Sequence, residues 1–512
     1  MTRFLKILLL WFVVGAMVWL FTLWHWQQTA RDVDLFDIVA YLLALPTALV
    51  LGWVVMLWGL KKLRERAGRT PQTGALSGSA DSPLAATSDA DLRQAHTVVL
   101  GAAVHTRAGA DALSTWTELL SGGTRPDLDS HLQDLDGLPV FSARVPELEV
   151  DSDSDAAEST EAGPGMAARR AWALLQAPCD QLAETWLSVA EQVGSQPSAD
   201  DVSASPFVWD DGGKAHLSGV AHKGSRGDRA EISPVQWSVR VLMPAAWPVA
   251  DQDWLVVSLR GRLANLIEQL ESQGIAAPQW LVIPPETPEH WWIEYDDHVR
   301  RWARGGQAEA MLILAVDSAL DEDTVERWQS IGELFTSQHQ VGRIPGEAAA
   351  GLLLASSALA ARMDVAKLDV PPLRLSRPVH LRRDKSADAL GRVGAAVLSD
   401  AMSQVMGVSQ LVASPALTIV ADADHRASRT SELFEALQAV APELDPMHNV
   451  ARAGEALGDV GVARSLLPAA LSCAAVWSSE GEGYALAAHV QSSHDRVVLA
   501  VSAMPAVNAV AA

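Results

Sequence analysis

The chain has 512 residues, 49% of them hydrophobic and 20% charged, with a net charge of −23. This length implies one large double domain or two medium ones beside any anchor and linkers. The acidic balance argues against binding nucleic acid by charge neutralisation. Two cysteines, Cys179 and Cys473, exclude a disulfide framework and a cysteine-based zinc site; their helix-like apolar surroundings suit buried, inert thiols.

Residues 1–66 read as a transmembrane helical hairpin. Its spans, about 7–26 and 38–60, contain no Asp, Glu, Lys or Arg, and a bilayer-crossing helix needs roughly 20 residues. Trp24-His25-Trp26 follows the first span where a signal peptide would offer small residues for cleavage. Arg3 and Lys6 precede the first span, and Lys61, Lys62, Arg64 and Arg66 follow the second. The positive-inside rule then puts both ends, and with them most of the chain, in the cytoplasm and the short loop outside, as a multi-pass membrane protein. Residues 67–92, rich in Gly, Ser, Thr, Ala and Pro, read as a flexible linker.

Residues 93–512 alternate strand-like and helix-like runs. Thr97–Leu100 reads as a strand, Leu113–Leu120 as a helix, Leu138–Val145 as a strand and Ala167–Val193 as a long amphipathic helix. Acidic, mobile loops are expected near 146–165 and 195–228. The run Asp151-Ser152-Asp153-Ser154-Asp155 lacks the glycine and distal glutamate of a calcium-binding loop. Val235–Met243 reads as a strand, Trp254–Gln273 as a strand start passing into a helix, and Gln279–Ile283 as a strand. Strands follow at 308–318, 348–357 and 417–423, helices at 387–407, 430–440 and 457–478, and a hairpin at 484–503. Such alternation, with uninterrupted apolar strands such as Met311–Val316, predicts α/β layers covered on both faces.

Common catalytic signatures are missing. No Gly-x-Ser-x-Gly elbow occurs, and Gly212-Gly213-Lys214 lacks the remaining parts of a phosphate loop. Glu289-His290 and Asp296-Asp297-His298 place two histidines eight residues apart, on one face of a helix; lone polar side chains on a helix surface account for them without a metal. Nineteen tryptophans against three tyrosines point to core packing, with any exposed subset a candidate partner anchor.

Ala308–Ser318, followed by Gly342-Arg343-Ile344-Pro345-Gly346-Glu347, resembles the inner strands of the thiolase-like condensing enzymes, the ketoacyl synthases. Leu417–His425 with Glu432 resembles the opening of the second thiolase half. Gly454–Arg464 resembles the Gly-His-x-x-Gly-Ala-Ala-Gly loop before the long core helix, and Ser492–Ser502 the closing strands. The resemblance implies a layered thiolase-like α/β fold of two related halves behind the transmembrane hairpin. In active members a cysteine at a helix N-terminus attacks a thioester and two histidines assist. Counting back from Gly306 by the family's spacing lands on Glu289 and His290, with no cysteine nearby. Glu455 replaces the second histidine, and its carboxylate would repel a developing oxyanion. His425 and His448 lie near the first histidine's place but in no His-Gly-Thr motif. The degenerate active-site region is therefore expected at Glu289, His290, His425 and Glu455, with no catalytic, cofactor-binding or metal residues and no cofactor. Asp317 and Glu347 read as holding strand ends.

A tethered thiolase-like domain without its nucleophile resembles the adaptor proteins that accompany phospholipase effectors of bacterial type VI secretion systems. The resemblance implies a non-catalytic, membrane-anchored adaptor or chaperone. Its partners would be a lipase effector protein, the secretion spike protein and the membrane through its hairpin, with no nucleic acid; a homodimer with a second copy stays open. Two alternatives stay open: an acyl-transferring or condensing enzyme with a displaced nucleophile such as Cys473, and a membrane-bound scaffold or sensor for envelope assembly.

Overall fold

In the computed structural model, residues 89–194 and 235–504 are described, apart from 147, 149, 151–162, 365 and 366. The two expected membrane spans, most of the linker and the acidic loop at 195–228 lie outside the described residues. Among the described residues no helix is long and apolar enough to cross a membrane.

Thirteen strands are present among those residues: β1 (His96–Thr106), β2 (Asp127–Gln133), β3 (Pro139–Ser142), β4 (Gln236–Leu242), β5 (Gln279–Ile283), β6 (Glu309–Ser318), β7 (Glu347–Ala355), β8 (Leu373–Ser376), β9 (Val379–Arg382), β10 (Leu417–Ala421), β11 (Val450–Arg452), β12 (Tyr484–His489) and β13 (Asp495–Ala503). The longer helices are α1 (Asp89–Gln94), α2 (Ala112–Ser121), α3 (Met166–Gly194), α4 (Val249–Arg262), α5 (Ala264–Ser272), α6 (His290–Gly305), α7 (Glu322–Ser330), α8 (Ala396–Ser409), α9 (Ala427–Val440) and α10 (Leu467–Ser478). The start of α1 falls inside the stretch expected to be linker.

One sheet runs in the order β11-β10-β12-β13-β8-β1-β7-β6-β4-β5, with β9 also beside β13; β2 and β3 form a separate hairpin. The long sheet is a duplication. Each half opens with one strand, continues with a second parallel to its third and fourth, and closes with a fifth that runs antiparallel. The halves β5-β4-β6-β7-β1 and β11-β10-β12-β13-β8 follow that scheme strand for strand. Their first strands meet where β1 pairs antiparallel with β8, from His96 with Ser376 to Val99 with Leu373.

Layering follows from which faces are apolar. Helix α10 is buried on every side, from Leu467 through Cys473 to Val476, and packs against β1 and β7 of one half and β10, β12 and β13 of the other. A helix apolar all round must lie inside. Helices α2 and α6 join it through Trp116, Trp291, Trp292 and Tyr295, and Trp116 Nε1 donates to Ser478 Oγ at 3.1 Å. The outer face of the first half is covered by α3, α4 and α5, where Trp186 stacks on Trp237 at 5.4 Å between ring centroids. Helices α8 and α9 cover the outer face of the second. The result is a layered, thiolase-like α/β fold of two related halves.

Four expectations shift. Trp254–Gln273 contains no strand: Leu255, Leu259, Leu263, Leu266 and Leu270 are buried at helical spacing, although Val256-Val257 reads as strand locally. The helix expected from 387 starts at Ala396, because Gly391 takes φ +94 and Arg383 Nη1 binds the Gly394 carbonyl at 2.9 Å. The helix expected from 457 starts at Leu467, after Gly458 and Gly461, both at positive φ. The short strands β2, β8, β9 and β11 have no sequence counterpart in the reading above.

At the centre of β7 a Cβ on Gly351 would sit 2.6 Å from Leu182 Cδ1 and 2.8 Å from Leu314 Cδ2. Gly351→Val should cost about 1–3 kcal/mol of stability, read as a lower urea midpoint. An unchanged midpoint would contradict this packing.

Candidate functional site

In each half a helix of the central layer follows the third strand and leads into the fourth: α6 between β5 and β6, α10 between β11 and β12. The start of α6 and the loop before α10 meet at the junction of the halves. Glu289 stands at the N-cap of α6, is 2% exposed and makes no capping hydrogen bond. Its Oε1 lies 3.3 Å from Nη2 of Arg464, which comes from the loop before α10. Arg464 Nε lies 3.7 Å from Asp422 Oδ2, at the end of β10. The other oxygen of Asp422 accepts from the amides of Val490 at 2.6 Å and Gln491 at 3.0 Å. His489, the last residue of β12, is fully buried with Nδ1 3.7 Å from Asp422 Oδ2 and its ring 5.7 Å from that of Trp292. At that distance the His489–Asp422 contact is electrostatic rather than a hydrogen bond. Both Glu289 oxygens, Asp422 Oδ2, Arg464 Nε and both nitrogens of His489 are buried without hydrogen-bond partners.

A second acid–base group adjoins the first. Asp459 accepts from Arg343 Nε at 2.6 Å and from the Gly461 amide at 3.0 Å, and the Arg343 guanidinium lies 3.9 Å from the Trp328 ring centroid. Asp317, near the end of β6, accepts from the Val462 amide at 2.9 Å. Gly461 is required here: it holds φ +50, and a Cβ would lie 1.8 Å from Asp317 Oδ2. The same loop presses on the other half at Gly346, whose Cβ would meet the Leu457 carbonyl at 2.2 Å.

Electrostatics follow from this crowding. Burial would lower the Arg464 pKa, but Glu289, Asp422 and Asp459 outweigh it and hold it above the ordinary arginine value. Burial opposes ionisation of Asp422, yet His489, Arg464 and the Val490 amide hold its carboxyl below the usual range. Asp459 is likewise held low against burial, by Arg343 and Arg464. Asp317 goes the other way: burial, reinforced by the Asp459 charge, pushes it to about 7 despite the Val462 amide. Burial raises the Cys179 thiol to about 12 and Cys473 further still.

A cleft of about 1520 Å³ opens beside the cluster, with Asp317, Arg343, Asp459 and Arg464 in its wall and Trp247 and Trp328 beside them.

Of the four residues expected at the degenerate centre, only Glu289 joins the cluster. His290 is exposed. His425 bonds the Gln340 carbonyl at 3.2 Å and meets the Phe335 ring edge-on. Glu455 pairs with Arg452 at 2.5 Å and Arg125 at 3.6 Å, so the acid of its loop that reaches the junction is Asp459. Arg464 and Asp422 fell inside stretches read only for resemblance, and His489 reads from sequence as a satisfied or exposed histidine of the final hairpin, whereas the fold buries it in this cluster. Their signal was charge embedded in apolar runs, as in Val460–Leu467, where a buried arginine demands a carboxylate partner. Glu347 behaves as expected of a strand-end group: it takes Arg170 through two bonds, Ser318 Oγ at 2.9 Å and the Val145 amide at 2.9 Å.

No protein-family model and no curated protein matches the chain. Solved structures resemble it at low identity. The ishigamide ketosynthase/chain length factor aligns at 15% identity and TM-score 0.48, over 80% of this chain and 100% of that one. The ketosynthase from module 1 of the bacillaene synthase of Bacillus amyloliquefaciens FZB42 aligns at 11% and 0.47, over 82% and 75%. OleA of Xanthomonas campestris aligns at 13% and 0.33, over 52% and 73%. Likenesses this remote bear on neither reaction nor partner, and the fold assignment rests on the duplicated topology above.

Asp317 yields a pH dependence. Its folded pKa of about 7 exceeds the ordinary 3.8, so the folded state holds the proton more tightly and this group's contribution falls as pH rises between those values. Asp317→Asn, which keeps an acceptor for Val462, should gain stability relative to the parent as pH is raised from about 5 to about 8. A stability difference that stays constant over that range would contradict the assignment.

Proposed function

We propose that this chain is a non-catalytic, membrane-anchored adaptor that binds a phospholipase effector and delivers it to the type VI secretion spike. The observation that carries the non-catalytic part is the Glu289–Arg464 pair. It occupies the helix start where the resemblance calls for a nucleophile. A helix N-terminus stabilises negative charge, and here that charge is a carboxylate matched to an arginine of the other half. The competing enzymatic reading needs a displaced nucleophile. Cys473 lies in the middle of α10, fully buried, where burial disfavours the thiolate. Anchoring rests on the uncharged spans at 7–26 and 38–60, and a basic client suits the net charge of −23.

The test has two arms. Incubation with acyl-CoA followed by mass analysis should leave Cys179 and Cys473 unmodified; an acylated cysteine would establish the enzyme instead. A lipase encoded beside this chain should co-purify with it and dissociate more readily at high salt. A lipase that never co-purifies would overturn the adaptor reading.

A further inference from the structure

The hairpin β2-β3 stands apart from the long sheet and packs on α7 through a small core of Leu132, Val140, Val325 and Trp328. Leu128 and Phe141 stay exposed on the hairpin. Leu128 is the cross-strand partner of Phe141, and Phe141 meets Phe335 edge-on at 5.7 Å. At the hairpin tip the Leu135 amide donates to Gln329 Oε1 at 2.6 Å, which ties the tip, with its exposed Leu135 and Leu138, to the last turn of α7, next to which the exposed Ile331 caps the helix. The exposed apolar side chains here run from 38% accessible at Phe141 to 60% at Leu138 and Ile331. Scattered exposed leucines are ordinary; a run of them across two adjoining elements marks an interaction surface.

Charge says what fits it. Residues 127–142 hold four aspartates and no Lys or Arg; residues 322–341 hold four acids against Arg327 alone. Asp127, Asp136 and Glu326 of these elements are exposed, while Glu333 pairs with Arg343 at 3.3 Å. An anionic lipid surface would be repelled by this rim. A helix with an apolar face and basic flanks would bury the strip and neutralise the rim together.

We propose that the β2-β3 hairpin and the end of α7 form the docking surface for a basic amphipathic helix of a partner protein. This deepens the adaptor reading and rests on it for the partner's identity, although the surface can be tested without the lipase.

The probe is a labelled synthetic helix of about 18 residues built from Lys and Leu, three to four apolar residues per two turns, against a copy with Glu for Lys. Anisotropy is measured with the full chain in non-ionic detergent. The Lys peptide should bind and the Glu peptide should not. The double variant Leu138→Ser/Phe141→Ser changes only exposed side chains, so its circular dichroism should match the parent while its affinity for the Lys peptide falls at least tenfold. Equal binding by parent and double variant, or equal binding of both peptides, would overturn the proposal. So would hydrogen-exchange protection of residues 127–142 caused by phosphatidylcholine–phosphatidylglycerol vesicles alone, which would make the surface a membrane contact. If the double variant misfolds, exchange protection of 127–142 by the Lys peptide in the parent decides instead, and protection confined to other segments overturns the proposal. A lipase that co-purifies equally with parent and double variant would overturn this surface and leave the adaptor reading standing. A lipase that never co-purifies, beside a peptide that docks here, would do the reverse.

Discussion

Arg464 is the constraint on which the junction depends. It is mostly enclosed where the two halves meet, with 12% of its side chain exposed to the cleft, and is surrounded by carboxylates from both: Glu289 from the first, Asp422 and Asp459 from the second. A buried charge without partners costs several kcal/mol, so each member holds the others in place. The loop carrying Arg464 must therefore run against the first half, and its glycines make that approach possible. Gly458 and Gly461 take positive φ where β-carbons would strike Ile344 and Asp317.

The duplicated topology explains why these groups converge. Each half sends a central-layer helix from its third strand to its fourth, and the two helices lie between the half-sheets. Their approaches to the central layer bring Glu289 and Arg464 together at the seam. A second buried network has the same logic within the second half, where Glu432 of α9 takes Arg496 through two bonds and Arg383 through one. Charged groups here act as fixed struts between layers that are otherwise apolar.

Much of the fold was legible in the sequence because its inner strands and long helices have strong periodicity. Met311–Val316 and the run from Leu174 through Leu182 to Val189 could hardly be anything else. The misses have physical causes. Strands of three to seven residues such as β11 and β2 are set by their neighbours in the sheet, and β2 is largely polar. Glycines at 391, 458 and 461 shorten helices that apolar composition alone would extend. The position at Glu289 was found by counting along a resemblance. Arg464 and Asp422 were given no role, since partners 42 to 175 residues apart become neighbours only through the folding of the second half and its meeting with the first. Glu455 is read from the resemblance as standing in the second histidine's place; the fold pairs it with Arg452 and Arg125, while Asp459 of the same loop turns inward.

If the Glu289–Arg464 pair locks the two halves together, the two residues must be energetically coupled. A double-mutant cycle of Glu289→Gln and Arg464→Met, read by urea unfolding, tests this most directly. The account predicts that Arg464→Met alone costs about 3–5 kcal/mol. It also predicts a coupling energy above about 1 kcal/mol between the two sites. Effects that add to within about 0.5 kcal/mol would contradict it.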